Sequence, residues 1–198
     1  ITIDTFFVLR WIFRRYNSSM ILGLDISTSV VGVCILNKKS ELLLLNYINL
    51  EKEKSIFDKA SKFKLELEKL TSKFEVKKIG IEENLQAFRP GLSSAKTIVT
   101  LARFNGICSY ISQEVLNLTP EFINVNSARK NLGIKIDRKS SKNTKEQVQE
   151  FVSSLEPKFS WPTRILKSGP RKDLEVLIKE CYDMADAYII ASDLAARE

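Results

Sequence analysis

The sequence predicts an α/β domain built on a mixed five-stranded sheet with helices on both faces. Three observations carry that expectation. Three apolar, β-rich runs follow one another directly near the start of the chain, and the pattern then changes to strand and helix in alternation. Acidic residues also interrupt the apolar runs at strand ends and inside a C-terminal apolar helix, where a solvated surface would not put them.

In order, MILGLDIS and VVGVCILN are two apolar runs separated by Thr28-Ser29, a hairpin turn, and ELLLLNYINL is the third strand. From Lys52 to Phe74 the period changes. Ile56, Ala60, Phe63, Leu67 and Leu70 recur at three and four, with lysines and glutamates opposite, as in a crossover helix. Lys78–Glu82 reads as a fourth strand, and after the Arg89-Pro90-Gly91 break Ser93 or Ser94 caps a long helix to about Asn117. Its stripe is Ala95, Ile98, Val99, Ala102, Ile107 and Ile111. Glu121–Val125 is a fifth strand. The remainder reads as helical, apart from a Lys/Ser-rich stretch at 135–142 and a Trp161-Pro162 to Gly169-Pro170 connection, with a final helix from about Leu174 through Ala196. This order resembles that of a ribonuclease H-like domain, a likeness of fold that by itself assigns no function.

The domain is expected to span residues 20–198. Residues 1–19, ITIDTFFVLRWIFRRYNSS, are aromatic and Arg-bearing without strand alternation. They read as an N-terminal extension, either sequence translated from upstream or an Arg-rich transit segment, although Asp4 and the short length weigh against the latter. The 198 residues carry 31 Lys and Arg against 24 Asp and Glu, a net charge of +7, and no histidine. The missing histidine excludes Ser-His-Asp and Cys-His catalysis and every His-ligated metal, so metal chemistry must use carboxylates and a hard cation. Three scattered cysteines in apolar stretches read as reduced core thiols of an intracellular protein, and no apolar run approaches the roughly 18 residues of a membrane span.

The chemistry is expected to lie in four acids. Asp25 ends the apolar run MILGLD and Glu82 ends KKIGIE, places where a charge is costly to bury unpaired. A strand-end acid taken alone is as often a capping or ion-paired residue. Asp183 and Asp186 in CYDMADAYIIA share one helix face at i, i+3, flanked on both sides by apolar residues. Four carboxylates from two strands and a helix would make an oxygen cage for two Mg²⁺ ions, with Mn²⁺ able to substitute, in phosphodiester hydrolysis.

MILGLDISTSVVGVCIL, KKIGIEE, SSAKTIVTLARFNGICSYI, KNTKEQVQEFV and DMADAYIIA together resemble the RuvC-type Holliday junction resolvases, in that order and over nearly all of residues 20–191. KEQVQ and D-x-x-D-A are the most specific elements. The resemblance implies that Asp25, Glu82, Asp183 and Asp186 are the metal ligands. Glu83 points to the other face if strand alternation holds. It also implies a basic residue after the fifth strand, Lys130 with Arg129 as competitor, and Lys145 as a catalytic lysine at the cleaved phosphate. Bacterial members often place an aromatic three residues after the strand-four Glu. Leu85 stands there instead, and Phe88 is the candidate to stack on a junction base in its place.

The positive charge is local. Arg129, Lys130, Lys135, Arg138, Lys139, Lys142 and Lys145 face a single acid, Asp137, between residues 128 and 145, which fits a DNA backbone beside the acids. Arg164, Lys167, Arg171 and Lys172 extend the strip. The resemblance further implies a homodimer that nicks a four-way junction symmetrically, with the 93–117 helix as the candidate interface. Three readings compete: a ribonuclease H-like nuclease acting on RNA–DNA hybrids or flaps, a non-catalytic branched-DNA-binding module, and an actin-like ATPase. The last needs a second Gly-rich phosphate loop, which a chain with 7 glycines does not show.

Overall fold

The computed structural model describes residues 19–83 and 94–197; Leu85, Phe88 and residues 1–18 of the N-terminal extension lie outside them. The strands β1 (Met20–Ile26), β2 (Val30–Asn37) and β3 (Leu42–Asn49) form an antiparallel meander. Helix α1 (Ile56–Thr71) crosses over to β4 (Val76–Glu82), which pairs parallel with β1. Helix α2 (Ala95–Leu116) then leads to β5 (Glu121–Ile123), parallel to β4. The sheet order is β3-β2-β1-β4-β5, the mixed five-stranded sheet expected. Helices α3 (Val125–Asn131), α4 (Thr144–Leu155) and α5 (Glu180–Ala195) follow, with a separate antiparallel hairpin, β6 (Thr163–Ile165) and β7 (Glu175–Leu177), between α4 and α5.

Strand alternation sorts the core into two layers. Met20, Leu22, Leu24 and Ile26 of β1, Val31, Val33 and Ile35 of β2, and Ile79 and Ile81 of β4 pack on Phe63 and Leu67 of α1 and Phe104 and Cys108 of α2. Ile21, Cys34 and Leu36 point the other way, into a layer with Val148 and Val152 of α4 and most of α5. Both sheet faces are covered, which is why β1 and β2 read as unbroken apolar runs. Cys34, Cys108 and Cys181 are free and buried.

Local signals fix the helix starts. Ser55 and Asp58 close a capping box on α1, Ser94 caps α2 through the Thr97 N–H, and Asn143 and Glu146 close a second box on α4. Several boundaries differ from the sequence reading. The fifth strand stops at Ile123, because Asn124 turns to accept the Ser127 N–H and starts α3. The last helix begins at Glu180; residues 174–179, expected to be helical, instead complete a hairpin and lead into it. The α2 stripe is also shifted. Its buried residues are Phe104, Asn105, Cys108, Ser109 and Ser112, while Ala95 and Ala102 are exposed and Val99 keeps 47% of its surface in solvent. Among the described residues no helix is long and apolar enough to cross a membrane.

Candidate active site

The arrangement of the site begins with two glycines that bring a helix backbone against the sheet. A Cβ on Gly32 would stand 2.0 Å from the carbonyl oxygen of Asp183, and one on Gly23 would stand 2.3 Å from that of Ala187. Helix α5 therefore lies on β1 and β2 at a distance that a side chain at either position would forbid. Gly32 is also the cross-strand partner of Asp25, so the closest approach of α5 falls beside that carboxylate.

Alternation then aims the strand acids. Asp25 shares its face of β1 with Gly23, beneath α5, and Glu82 shares its face of β4 with Gly80, whose Cβ would meet Ile190 and Leu194 of α5. Gly23 pairs with Gly80 and Leu24 with Ile81 in the parallel ladder, so Asp25 and Glu82 come next on neighbouring strands at the same end of the sheet. Glu83, just past β4, donates its N–H to the Ile123 carbonyl. From α2, the buried Asn105 donates through Nδ2 to the Glu82 carbonyl at 3.3 Å, tying down the strand end. A polar residue inside the buried stripe of α2 is the sequence signal that marks Asn105.

Asp25 is 6% exposed and Asp186 5%. Burial raises the Asp25 carboxyl well above its usual range. Glu82 adds to the rise by charge and by a side-chain hydrogen bond, and Asp186 and Asp183 add to it by charge. Asp183 and Asp186 are likewise raised by burial, against the lowering pull of Lys145 on the first and Arg129 on the second. The four acids thus form one electrostatic unit whose simultaneous ionisation needs compensating positive charge.

Two protein cations supply part of it. Arg129 of α3 sets Nη2 2.5 Å from Asp186 Oδ1, with both side chains largely buried, and its Nε is buried without a partner. Lys145, at the start of α4, holds Nζ 3.6 Å from Asp183 Oδ1. Burial pushes the Lys145 amine down, but Asp183, Asp25 and Asp186 together outweigh this and leave it raised, hence charged. Of the Arg129/Lys130 pair it is Arg129 that meets the acids; Lys130 is exposed.

The KEQVQ stretch has a local physical account. Glu146 closes the cap with Asn143, and Gln147 donates to the carbonyls of Asp137 and Lys142 while accepting from the Asp137 N–H. Val148 and Gln149 are buried. Gln147 therefore pins the basic loop to α4 beside the acids. Lys135, Arg138, Lys139 and Lys142 on that loop are exposed, and Lys142 is paired with Glu150.

Carboxylate oxygens are hard donors that suit Mg²⁺ or Mn²⁺, and the charge carried by this set fits such ions. Among the described residues no group of three or more acidic or cysteine side chains is already arranged as a cation site. Arg129 and Lys145 are engaged with two of the four carboxylates.

No family model matches the sequence, and no curated protein matches it either. Solved structures do match. The T. thermophilus RuvC in complex with a Holliday junction substrate superposes with a TM-score of 0.60 at 12% identity, over 90% of this chain and 96% of that one. The chain has the RuvC fold. T. thermophilus RuvC itself gives 0.55 at 16% identity, covering 90% of this chain and 95% of that one. The yeast mitochondrial Holliday junction resolvase Ydc2 gives 0.53 at 16%, covering 89% and 78%. The sheet order and two-faced helix cover thus agree with the ribonuclease H-like class read from the sequence.

Proposed function

We propose that this chain is a metal-dependent endonuclease that resolves branched DNA, above all four-way junctions, by paired symmetric nicks. The observation that carries the reading is the gathering of Asp25, Glu82, Asp183 and Asp186 at one end of a RuvC-fold sheet, with Lys145 and Arg129 against them. Residues 20–198 act as one nuclease domain. The four carboxylates would hold two Mg²⁺ ions, Mn²⁺ substituting. When bound, those ions supply Lewis-acid polarisation of the phosphate and a more acidic water.

The chain's own residues do the rest. Asp25 and Asp186, both largely buried, would present their oxygens to the ions from a fixed position. Lys145 keeps its proton and, at 56% side-chain exposure, is free to turn from Asp183 toward a phosphodiester as charge builds on its oxygens. Arg129 neutralises Asp186 from the opposite flank. The exposed Lys130, Lys135, Arg138, Lys139 and Lys142 contact the phosphate backbone without reading sequence. A homodimer presents two such sites, and solvent-exposed Phe57, Val99 and Tyr110 on α1 and α2 support that face as the interface.

The test is cleavage of a synthetic mobile four-way junction, with a matched RNA–DNA hybrid alongside, with and without Mg²⁺. Symmetric nicks on the junction are expected, and Asp25→Asn or Asp186→Asn should abolish cutting while binding persists. Full nicking by either variant overturns the site, and a preference for the hybrid overturns the substrate.

A further inference from the structure

We propose that the β6–β7 hairpin is a second DNA-holding arm, gripping the sugar–phosphate backbone across the carboxylate cluster from Arg129. The proposal rests on the nucleolytic reading above and specifies how the substrate lies over that site.

Its placement comes from the sheet order. β3 and β5 are the two outer strands. Arg129 reaches the acids from α3, directly after β5. The hairpin is rooted on the other side, where Lys179, just beyond β7, pairs with Glu51, just beyond β3. Its two ends are joined by the Ile178 N–H donating to the Pro162 carbonyl at 3.2 Å. The Cys181 thiol donates to the same carbonyl at 3.4 Å and ties the root to the first turn of α5, which carries Asp183. A DNA strand running between Arg129 and the hairpin crosses the acids.

The hairpin is ordered by backbone bonds rather than by a core. Leu166 N–H donates to Leu174 O at 3.0 Å, Asp173 N–H to Leu166 O at 2.8 Å and Lys172 N–H to Gly169 O at 3.0 Å, with Gly169 and Asp173 at positive φ closing the turn. Ile165 and Leu174 remain 64% and 53% exposed. A two-stranded hairpin of this kind is marginal alone and gains little from apolar burial.

What it does present is charge. Arg164, Lys167, Arg171 and Lys172 are exposed, and among the described residues none of them is ion-paired, whereas Arg129, Lys142 and Lys145 all are. The turn from Lys167 to Lys172 holds three basic residues and no acid. Unpaired cations on a fixed frame suit phosphate contact, which requires positive charge and no side-chain pocket.

The test uses the full chain with Arg164→Ala, Lys167→Ala, Arg171→Ala and Lys172→Ala combined. Anisotropy on a labelled four-way junction in EDTA is measured across a salt series, beside thermal unfolding and the oligomer mass. The expected result is an unchanged melting midpoint, a logarithmic salt slope shallower by about 2–4, and affinity at least about tenfold weaker near physiological salt. Should the combined variant fail to fold, Lys167→Glu alone decides, with a slope shallower by about 1 or more expected. A folded variant with wild-type slope and affinity overturns the arm, as does one with wild-type DNA binding but an altered oligomer mass, which would assign the hairpin to contact between protein chains. If the wild-type protein binds and cuts junctions while the variant matches it, the arm alone fails; if the wild type does neither, the nuclease reading fails with it.

Discussion

Replacing Gly32 by alanine should damage the site without touching a carboxylate. The added Cβ would sit 2.0 Å from Asp183 O and 2.4 Å from its carbonyl carbon, both backbone atoms that cannot rotate away. Ordinary van der Waals contact begins near 3.4 Å, so the helix must retreat by about 1.4 Å or the strand must bend by as much. Overpacking of this kind costs about 1–3 kcal/mol. At about 2–4 °C per kcal/mol for a chain of this length, the melting midpoint should fall by about 2–12 °C. The retreat moves Asp183 relative to Asp25, and misplacement on the order of 1 Å lowers rate by about 100-fold. Gly106→Ala is the control. It lies exposed within α2 with nothing within 4 Å of the new Cβ, so within one protomer it should gain about 0.8–1 kcal/mol of helix propensity, which makes it a control for stability alone because it shares the proposed interface face with Val99 and Tyr110. Scanning fluorimetry on both variants and junction cleavage by Gly32→Ala check this. A Gly32→Ala protein with wild-type midpoint and wild-type rate refutes the claim that backbone contact between α5 and β2 sets the site.

Three further outcomes follow from the electrostatics and the capping. Because the Asp25 carboxyl is raised in the folded state, that state holds the extra proton, and stability falls as pH climbs from the unfolded value through the raised one. Asp25→Asn should therefore melt above wild type near pH 8 in EDTA, with the gap closing as pH approaches about 4; a gap independent of pH would contradict the burial argument. Arg129→Ala leaves Asp186 buried without its partner and should cost about 3–5 kcal/mol in the absence of divalent cations, with Mg²⁺ restoring part of the loss; a melting curve identical to wild type, with or without Mg²⁺, would show the pair to be inconsequential. Asn143→Ala should remove about 1 kcal/mol and speed amide exchange over the first turn of α4, and unchanged exchange there would count against the capping box as what presents Lys145.

The acids were legible because each breaks a local pattern. Asp25 and Glu82 interrupt apolar strands, and Asp183 and Asp186 interrupt an apolar helix, so their anomaly is visible without any knowledge of what packs where. The hairpin was misread for a related reason. Leu174, Leu177, Ile178 and Cys181 fall at i, i+3, i+4 and i+7, which matches a helix face, whereas residues 175–177 are held extended by pairing with Thr163–Ile165 across a turn that has Gly169 and Asp173 at positive φ. Arg129 and Lys130 could not be separated because adjacent helix positions differ by about 100° of rotation, and only the burial of Ala128 against α5 fixes which of them faces Asp186.

Gly23 and Gly32 carry no such local signal. A glycine inside a strand ordinarily weakens it, and nothing in the neighbouring residues says what approaches the missing side chain. The approaching partner is α5, some 150 residues later in the chain, and its identity emerges only when Asp183 and Ala187 are found against the two positions. The two glycines and the four acids are therefore one feature. Bringing a helix backbone onto the sheet places Asp183 and Asp186 over the ends of β1 and β4, and the burial that results raises Asp25, Asp183 and Asp186 together. A fold selected for stability alone would fill those positions with alanine or valine and keep carboxylates out of the gap. Close packing that creates an electrostatic cost, met in part by Arg129 and Lys145, is the arrangement expected of a site that stays poised for further positive charge.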